Sequence, residues 1–298
     1  MIRIANVLCP VDFSETSQRA LDHAAAIAHW YEARLTLLHV VVSRPVLDLP
    51  MPELTDADRE RLSTDLRKMA GRIPPQVAID YRISEAEFVD TEIVAQIAAT
   101  QANLLVLGTH GRSGFERLFL GSVTEKLLRR ATCPTLVVPP RAAAVAADAP
   151  VQLRRILCPV DFSDGSLNAL TTAIGMAEEA DARLTLLNVI EIPPTLFGTS
   201  GMSETDVDRI RAAAEADVLR RLRALVPEGA RTYCSVETAV VEGSAHREIV
   251  RSATDARADV IVIGAHGGGT LDRLVFGSTT HHVIRAAPCP VLVVRSAT

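Results

Sequence analysis

At 298 residues, 48% hydrophobic and only 4% aromatic, the chain has material for two domains of about 150 residues each, with cores built from Ala, Leu, Val and Ile. A net charge of -5 and a pI near 5.9 speak against a nucleic-acid partner, which would call for a basic face. No apolar run reaches the roughly 18 residues of a membrane span, and the opening Met1 to Cys9 is too short and broken for a secretory signal, so a cytoplasmic protein is expected.

Taken in order, Ile4 to Cys9 reads as a short apolar strand stopped by Pro10. Ser14 offers an N-cap, and Ala20, Leu21, Ala24, Ala25, Ile27 and Ala28 make a helical stripe. Leu35 to Val42 is an almost unbroken apolar run, as for a strand covered on both faces. Pro45 to Pro52 reads as a loop and Thr55 to Ala70 as a charged surface helix. Val77 to Ile83 then reads as an alternating strand, Val89 to Thr100 as a helix and Asn103 to Leu107 as a fourth strand. A glycine loop, a helix to Ala131 and a last strand, Thr135 to Val138, complete the set.

After a Pro- and Ala-rich linker over 141–150, the set recurs. Strands are expected at Arg155 to Cys158, Leu184 to Ile190, Thr232 to Val241, Val260 to Ile263 and Val291 to Val294. Helices are expected at Ser166 to Glu179, Glu204 to Leu225, His246 to Ala256 and Thr279 to Ala286. The repeat is also literal. Leu8-Cys9-Pro10-Val11-Asp12-Phe13-Ser14 returns as Leu157 to Ser163 at an offset of 149, and the glycine stretch returns at 156. Two copies are too few for a solenoid. The fold class is therefore α/β, as two tandem open parallel-sheet sandwiches with helices on both faces, over 1–140 and 151–298.

The five cysteines include two repeat-equivalent pairs, Cys9 with Cys158 and Cys133 with Cys289. Without a C-x-x-C and with apolar flanks, they read as buried thiols. Val7-Leu8-Cys9 faintly suggests a lipoprotein cleavage box, but Leu157-Cys158 repeats it in mid-chain.

Chemistry concentrates in one pattern written twice, Gly-x2-Gly-x9-Gly-Ser, at Gly108 to Ser122 and Gly264 to Ser278. Each copy follows an apolar strand and precedes a helix. Free N–H groups at a helix start, with glycines permitting close approach, form an anion site suited to nucleotide phosphates. In an open α/β sheet the ligand crevice lies beyond the carboxyl ends of the strands. Pro10-Val11-Asp12, His39-Val40 and the first glycine loop converge there, as do Pro159-Val160-Asp161, Asn188-Val189 and the second loop. The Asp12 and Asp161 carboxylates can accept from an adenine amino group or a ribose hydroxyl, or hold a metal through water. They can equally serve as N-cap or Asx-turn residues. Gly111 and Gly121-Ser122 would present N–H groups, and the Ser122 and Ser278 hydroxyls would donate to phosphate.

The chain resembles a tandem universal stress protein of the ATP-binding branch. The resemblance rests on Val11-Asp12-Phe13-Ser14, Gly108 to Arg112, Gly121-Ser122, Cys133-Pro134, the valine-rich last strand and their second-copy partners. It implies a Rossmann-like strand order 3-2-1-4-5 and adenine beside Pro10, Val11, Asp12 and the Val40 backbone. Ribose and phosphates of ATP, ADP or AMP would fall to Gly108, Gly111, Arg112, Gly121, Ser122 and Val123, usually with Mg2+ or Mn2+. In the second copy the same roles fall on Pro159, Val160, Asp161, Val189, Gly264, Gly267, Gly277, Ser278 and Thr279. The resemblance also suggests that the final strands pair across a pseudo-twofold, and that two chains form a homodimer through those edges.

Two departures stand out. Glu87-Phe88 replaces Gly243-Ser244 before the third helix, and Gly268 replaces Arg112, which would favour tighter binding by the first copy. His110 and His266 could reach phosphate or stand as exposed loop imidazoles, and His281-His282 reads as solvated or packing. Arg117 and Arg273 read as surface charges. No Walker lysine, G-x-S-x-G or H-E-x-x-H occurs, so catalysis is at most slow ATP hydrolysis. The expected role is a nucleotide-dependent stress-response or signalling module. The rivals are a slow ATPase or nucleotidyl transferase on the same fold, and a nucleotide-free dimerising scaffold.

Overall fold

The computed structural model describes residues 4–43, 54–109, 120–145, 153–191, 204–266 and 277–295. The expected loop from Pro45 to Pro52 and the end of the linker, 146–150, lie outside them. So do His110, Gly111, Arg112 and Arg117 of the first glycine loop, and Gly267, Gly268 and Arg273 of the second.

In chain order the first set is β1 (Asn6–Pro10), α1 (Glu15–Trp30), β2 (Arg34–Val42), α2 (Asp56–Met69), β3 (Ile79–Ala86), α3 (Val89–Ala99), β4 (Leu104–Gly108), α4 (Ser122–Arg130) and β5 (Thr135–Val138). The second begins with β6 (Arg155–Pro159), α5 (Asp164–Ala180), β7 (Arg183–Ile190), α6 (Glu204–Ala224) and α7 (Ala230–Tyr233). It continues with β8 (Ser235–Glu242), α8 (Ala245–Asp255), β9 (Val260–Gly264), α9 (Ser278–Ala286) and β10 (Val291–Val294). Two compact bodies result. One holds the described residues of 4–145 together with Pro290–Arg295, and the other holds those of 153–289.

In the first body the strands run β3-β2-β1-β4-β5, the order that the resemblance implied, with every pair parallel. In the second, β9-β6-β7-β8 are likewise parallel. β10 joins the first body and pairs antiparallel with β5, placing Leu292 opposite Leu136 and Val291 opposite Val137. Both edges of β5 are thus taken, by β4 and β10. The expectation that a second chain would add along the final-strand edges is corrected for β5, which has no edge left to offer.

The chemistry of the strand ends explains the helix starts. Ser14 and Ser163 each stand just before a helix with extended backbone, and each hydroxyl accepts an N–H three residues on, from Ser17 at 3.2 Å and from Ser166 at 3.3 Å. α1 turns an alanine face inward, with Ala20, Ala24, Ala25 and Ala28 buried, so the helix lies close to the sheet. The first core joins Leu8, Leu38, Leu105 and Leu107 of the strands to Ile93, Ile97 and Leu127 of α3 and α4. Each such side chain contributes about 1.5–3 kcal/mol through burial. All five cysteines are free and buried. Desolvation holds their thiols protonated, pushing Cys133 up to about 11 and Cys289 to about 12.

Two strands differ from the sequence reading. β3 starts at Ile79 rather than Val77 and runs on through Ser84 and Glu85 to Ala86. Val77 belongs to a turn, its N–H bonded to the Pro74 carbonyl at 3.0 Å. β2 supplies ladder partners as far as Val42, which faces Ala86. In the second copy Thr232 lies in α7, and β8 begins only at Ser235.

Candidate functional site

β6 ends at Pro159, and the chain then turns sharply. The Val160 N–H still donates to the Leu187 carbonyl of β7 at 2.8 Å. Phe162 sits in the left-handed region at φ 64, and Ser163 caps α5. A bulky side chain there costs on the order of 1–2 kcal/mol. The Asp161 Oδ1 holds the turn by accepting the Ser163 N–H at 3.0 Å and hydroxyl at 2.5 Å. The first copy is built alike. Val11 N–H donates to Leu38 at 2.8 Å, Phe13 has φ 63, and Asp12 Oδ1 accepts from Ser14 N–H at 3.1 Å and from its hydroxyl at 2.5 Å. The Asx-turn alternative is therefore realised in both copies.

The first glycine of each pattern is demanded by packing. A Cβ on Gly264 would lie 2.6 Å from the Gly165 carbonyl carbon, and one on Gly165 only 2.4 Å from the His266 oxygen. Gly108 is held less tightly, its Cβ position 3.0 Å from the Thr16 carbonyl oxygen. The strand after which the loop begins thus touches the first turn of α1 or α5 backbone to backbone. The Gly121 and Gly277 N–H groups, expected to face a ligand, instead close the loops. They donate to Thr109 at 2.8 Å and Ala265 at 3.0 Å. The backbone donors left at each helix start belong to the following residues. α4 and α9 start without a side-chain cap, so the N–H groups of Ser122 and Val123, and of Ser278 and Thr279, have no acceptor within their helices. Thr124 and Thr280 hydroxyls tie these helix starts back to the Gly108 and Gly264 carbonyls at 3.0 and 2.8 Å.

In the second body these parts enclose a cavity of about 380 Å³. Pro159, Val160, Asp161, Val189, Gly264, Gly277, Ser278 and Thr279 line it, which is every described member of the set named from the sequence. His266 lines it too, so this residue belongs to the pocket wall. The sequence reading missed Ser166, Glu191, Ala245, Ile249 and Thr280. Glu191 is the informative omission. It is the acid immediately after β7, and its carboxylate accepts the Ala245 N–H at the start of α8 at 2.7 Å. Asn188 fixes the neighbouring wall by donating to the Val160 carbonyl at 2.7 Å. His39 does the same in the first copy, its Nδ1–H donating to Val11 at 2.8 Å.

The cavity is consequently bipolar, with the Asp161 and Glu191 carboxylates beyond β6 and β7 and an uncapped helix start beyond β9. In the first copy Pro10, Val11, Asp12, Val40, Gly108, Gly121, Ser122 and Val123 hold the equivalent places at the ends of β1, β2 and β4 and the start of α4. Val40 and Val123 also pack on the core. His282 is exposed on α9. Its Nδ1–H donates to the Ser278 carbonyl at 2.7 Å, and its ring lies 4.7 Å from that of His246 on α8. Desolvation, and then the His282 ring, lower the His246 pKa. Among the described residues no group of three or more His, Cys, Asp or Glu side chains could hold a metal ion. No described helix is long and apolar enough to cross a membrane.

Residues 4–139 and 152–295 each match the Universal stress protein family. The chain belongs to that family. A universal stress protein of Methanocaldococcus jannaschii is 32% identical over 142 residues, covering 48% of this chain and 82% of its own. A Mycobacterium tuberculosis universal stress protein is 28% identical over 306 residues, covering 97% of this chain and 96% of its own, so the tandem arrangement is shared along the whole length. A universal stress protein of Archaeoglobus fulgidus, solved as a crystal structure, superposes with a TM-score of 0.66 at 21% identity. It covers 97% of this universal stress protein and 96% of its own chain, and shares the fold.

Proposed function

We propose that the cavity of the second body binds an adenine nucleotide, and that this tandem universal stress protein acts as a nucleotide-responsive module of the stress response. The carrying observation is the cavity's polarity. Asp161 and Glu191 offer acceptors suited to an amino group and ribose hydroxyls. The uncapped start of α9 offers donors and a positive dipole end suited to phosphate. Its size is that of a small-molecule site. The matching residues of the first copy, Asp12 to Val123, support a second nucleotide site there. The donor set fits Mg2+ only through phosphate oxygens and water, with the Ser278 hydroxyl within the same wall. Mg2+ bound in this way would neutralise phosphate charge.

Ser278→Asp tests the reading. Ser278 is exposed at the first position of α9, where a carboxylate favours the helix by about 0.3–1 kcal/mol. The same carboxylate would stand where phosphate is proposed to sit. Calorimetric titration with Mg-ATP should show one of two sites weakened by about tenfold or more, with the melting temperature unchanged or higher. Undiminished binding at both sites would refute the assignment.

A further inference from the structure

The first body carries an opening beside α2. A cleft of about 910 Å³ lies between the start of α1 and α2. It shares no residue with the set from Pro10 to Val123 proposed for nucleotide. Its floor is aromatic. The Phe13 and His39 rings meet at 4.5 Å between centroids, tilted by 47°, and the His39 hydrogen bond to Val11 fixes that ring. On the α2 side stand Arg61, Lys68 and, in the turn after the helix, Arg72, with the single carboxylate of Asp65 among them. On the α1 side stands Glu15, which is paired with Arg19 at 2.9 Å. Arg61 is paired with Asp58 at 3.2 Å. Lys68 and Arg72 have no ion-pair partner among the described residues.

The second copy shows what covers such a floor when the chain itself supplies the cover. Matching the fully buried Leu66 of α2 with the fully buried Leu222 of α6 sets Asp65 against Arg221, Lys68 against Ala224 and Arg72 against Glu228. The Arg221 guanidinium lies over Phe162, its Cζ 3.8 Å from the ring centroid. In the first copy that planar cation is replaced by a carboxylate, which the negative face of an aromatic ring does not attract. The cations stand further along the chain, Lys68 in the last turn of α2 and Arg72 just beyond it. We propose that this cleft binds a small aromatic anion, a flat ring bearing a phosphate or carboxylate, with the ring against Phe13 and His39 and the anionic group held by Lys68 and Arg72. Stacking supplies one end of the recognition and charge-assisted hydrogen bonds the other.

The probe is 1-naphthyl phosphate, titrated into the full chain by fluorescence anisotropy, with neutral 1-naphthol as the comparison and saturating Mg-ATP present throughout a parallel series. Two variants are measured beside the wild type. Lys68→Ala with Arg72→Glu installs the second copy's residues at exposed positions. Phe13→Gly removes the ring at a left-handed backbone position where glycine is at ease, so the fold is retained, as a thermal melt will verify. Saturable binding of the phosphate is expected, weaker for the alcohol, lowered about tenfold or more by either variant, and indifferent to Mg-ATP. Absence of saturable binding, wild-type affinity retained in either variant, or displacement by Mg-ATP would overturn the proposal.

Discussion

His23 shows how one buried side chain ties the stability of the protein to pH. It sits on the inner side of α1 at 8% exposure, and its Nδ1–H donates to the Arg19 carbonyl at 2.9 Å. Burial disfavours the imidazolium more strongly than the Arg19 carbonyl and Asp22 favour it, so the pKa falls below 6.5. In the unfolded chain the ring takes a proton near 6.5, while in the folded chain it stays neutral to lower pH. The resulting stability is complete above 6.5 and is lost as pH falls through the lowered folded value. Urea midpoints at pH 7.5 and pH 5.5 should therefore separate further for the wild type than for His23→Gln, which keeps a donor but cannot titrate. Equal separations would remove His23 from the account. At this scale the sequence was readable where chemistry repeats. Asp161 and its neighbours were named because the same heptad occurs twice, and they line one cavity. The left-handed Phe13 and Phe162 were not legible, since nothing in a bulky side chain announces a positive φ.

Between elements, the α3–α4 seam is held by a carboxylate that no pattern singled out. Asp90 is 5% exposed and accepts from Arg130 at 2.6 Å and from Lys126 at 3.3 Å. It stands in the first turn of α3, where its charge also meets the positive end of the helix. Asp90→Ala should cost about 1.5–3 kcal/mol, the range of a hydrogen bond to a charged group. The cost stays below that of breaking a fully buried pair because Arg130 and Lys126 are about half exposed and can regain water. Denaturant unfolding would measure it, and a loss under half a kilocalorie would show the pair to be idle. The second copy solves the same seam with His246 on His282, so duplicated backbones here carry unlike side-chain chemistry. Elements with strong apolar character, such as β2 and β4, were read within a residue or so of their ends. β3 was read short because its last residues, Ser84 and Glu85, are polar. Its length is set by the ladder that β2 provides, which is a tertiary fact.

For the molecule as a whole, duplication made the architecture legible, but the antiparallel pairing of β10 with β5 lies outside what periodicity can report. β5 and β10 are near-identical strands, Thr-Leu-Val-Val and Val-Leu-Val-Val, and they pair antiparallel with Leu136 facing Leu292. A fragment of residues 1–145 would keep β1 to β5 and lose β10, leaving a mostly apolar strand with one bare row of N–H and C=O groups. Such an edge is a template for another chain. The strand most like the missing one is β5 of a second fragment, and an antiparallel pair of equal strands can satisfy both edges by twofold symmetry. The fragment is therefore expected to be a dimer by light scattering on a sizing column, and Leu136→Lys should return it to monomer by placing like charges at the centre of the pairing. A fragment that stays monomeric at micromolar concentration without the lysine would show that β10 only covers β5 and that the edge does not drive association.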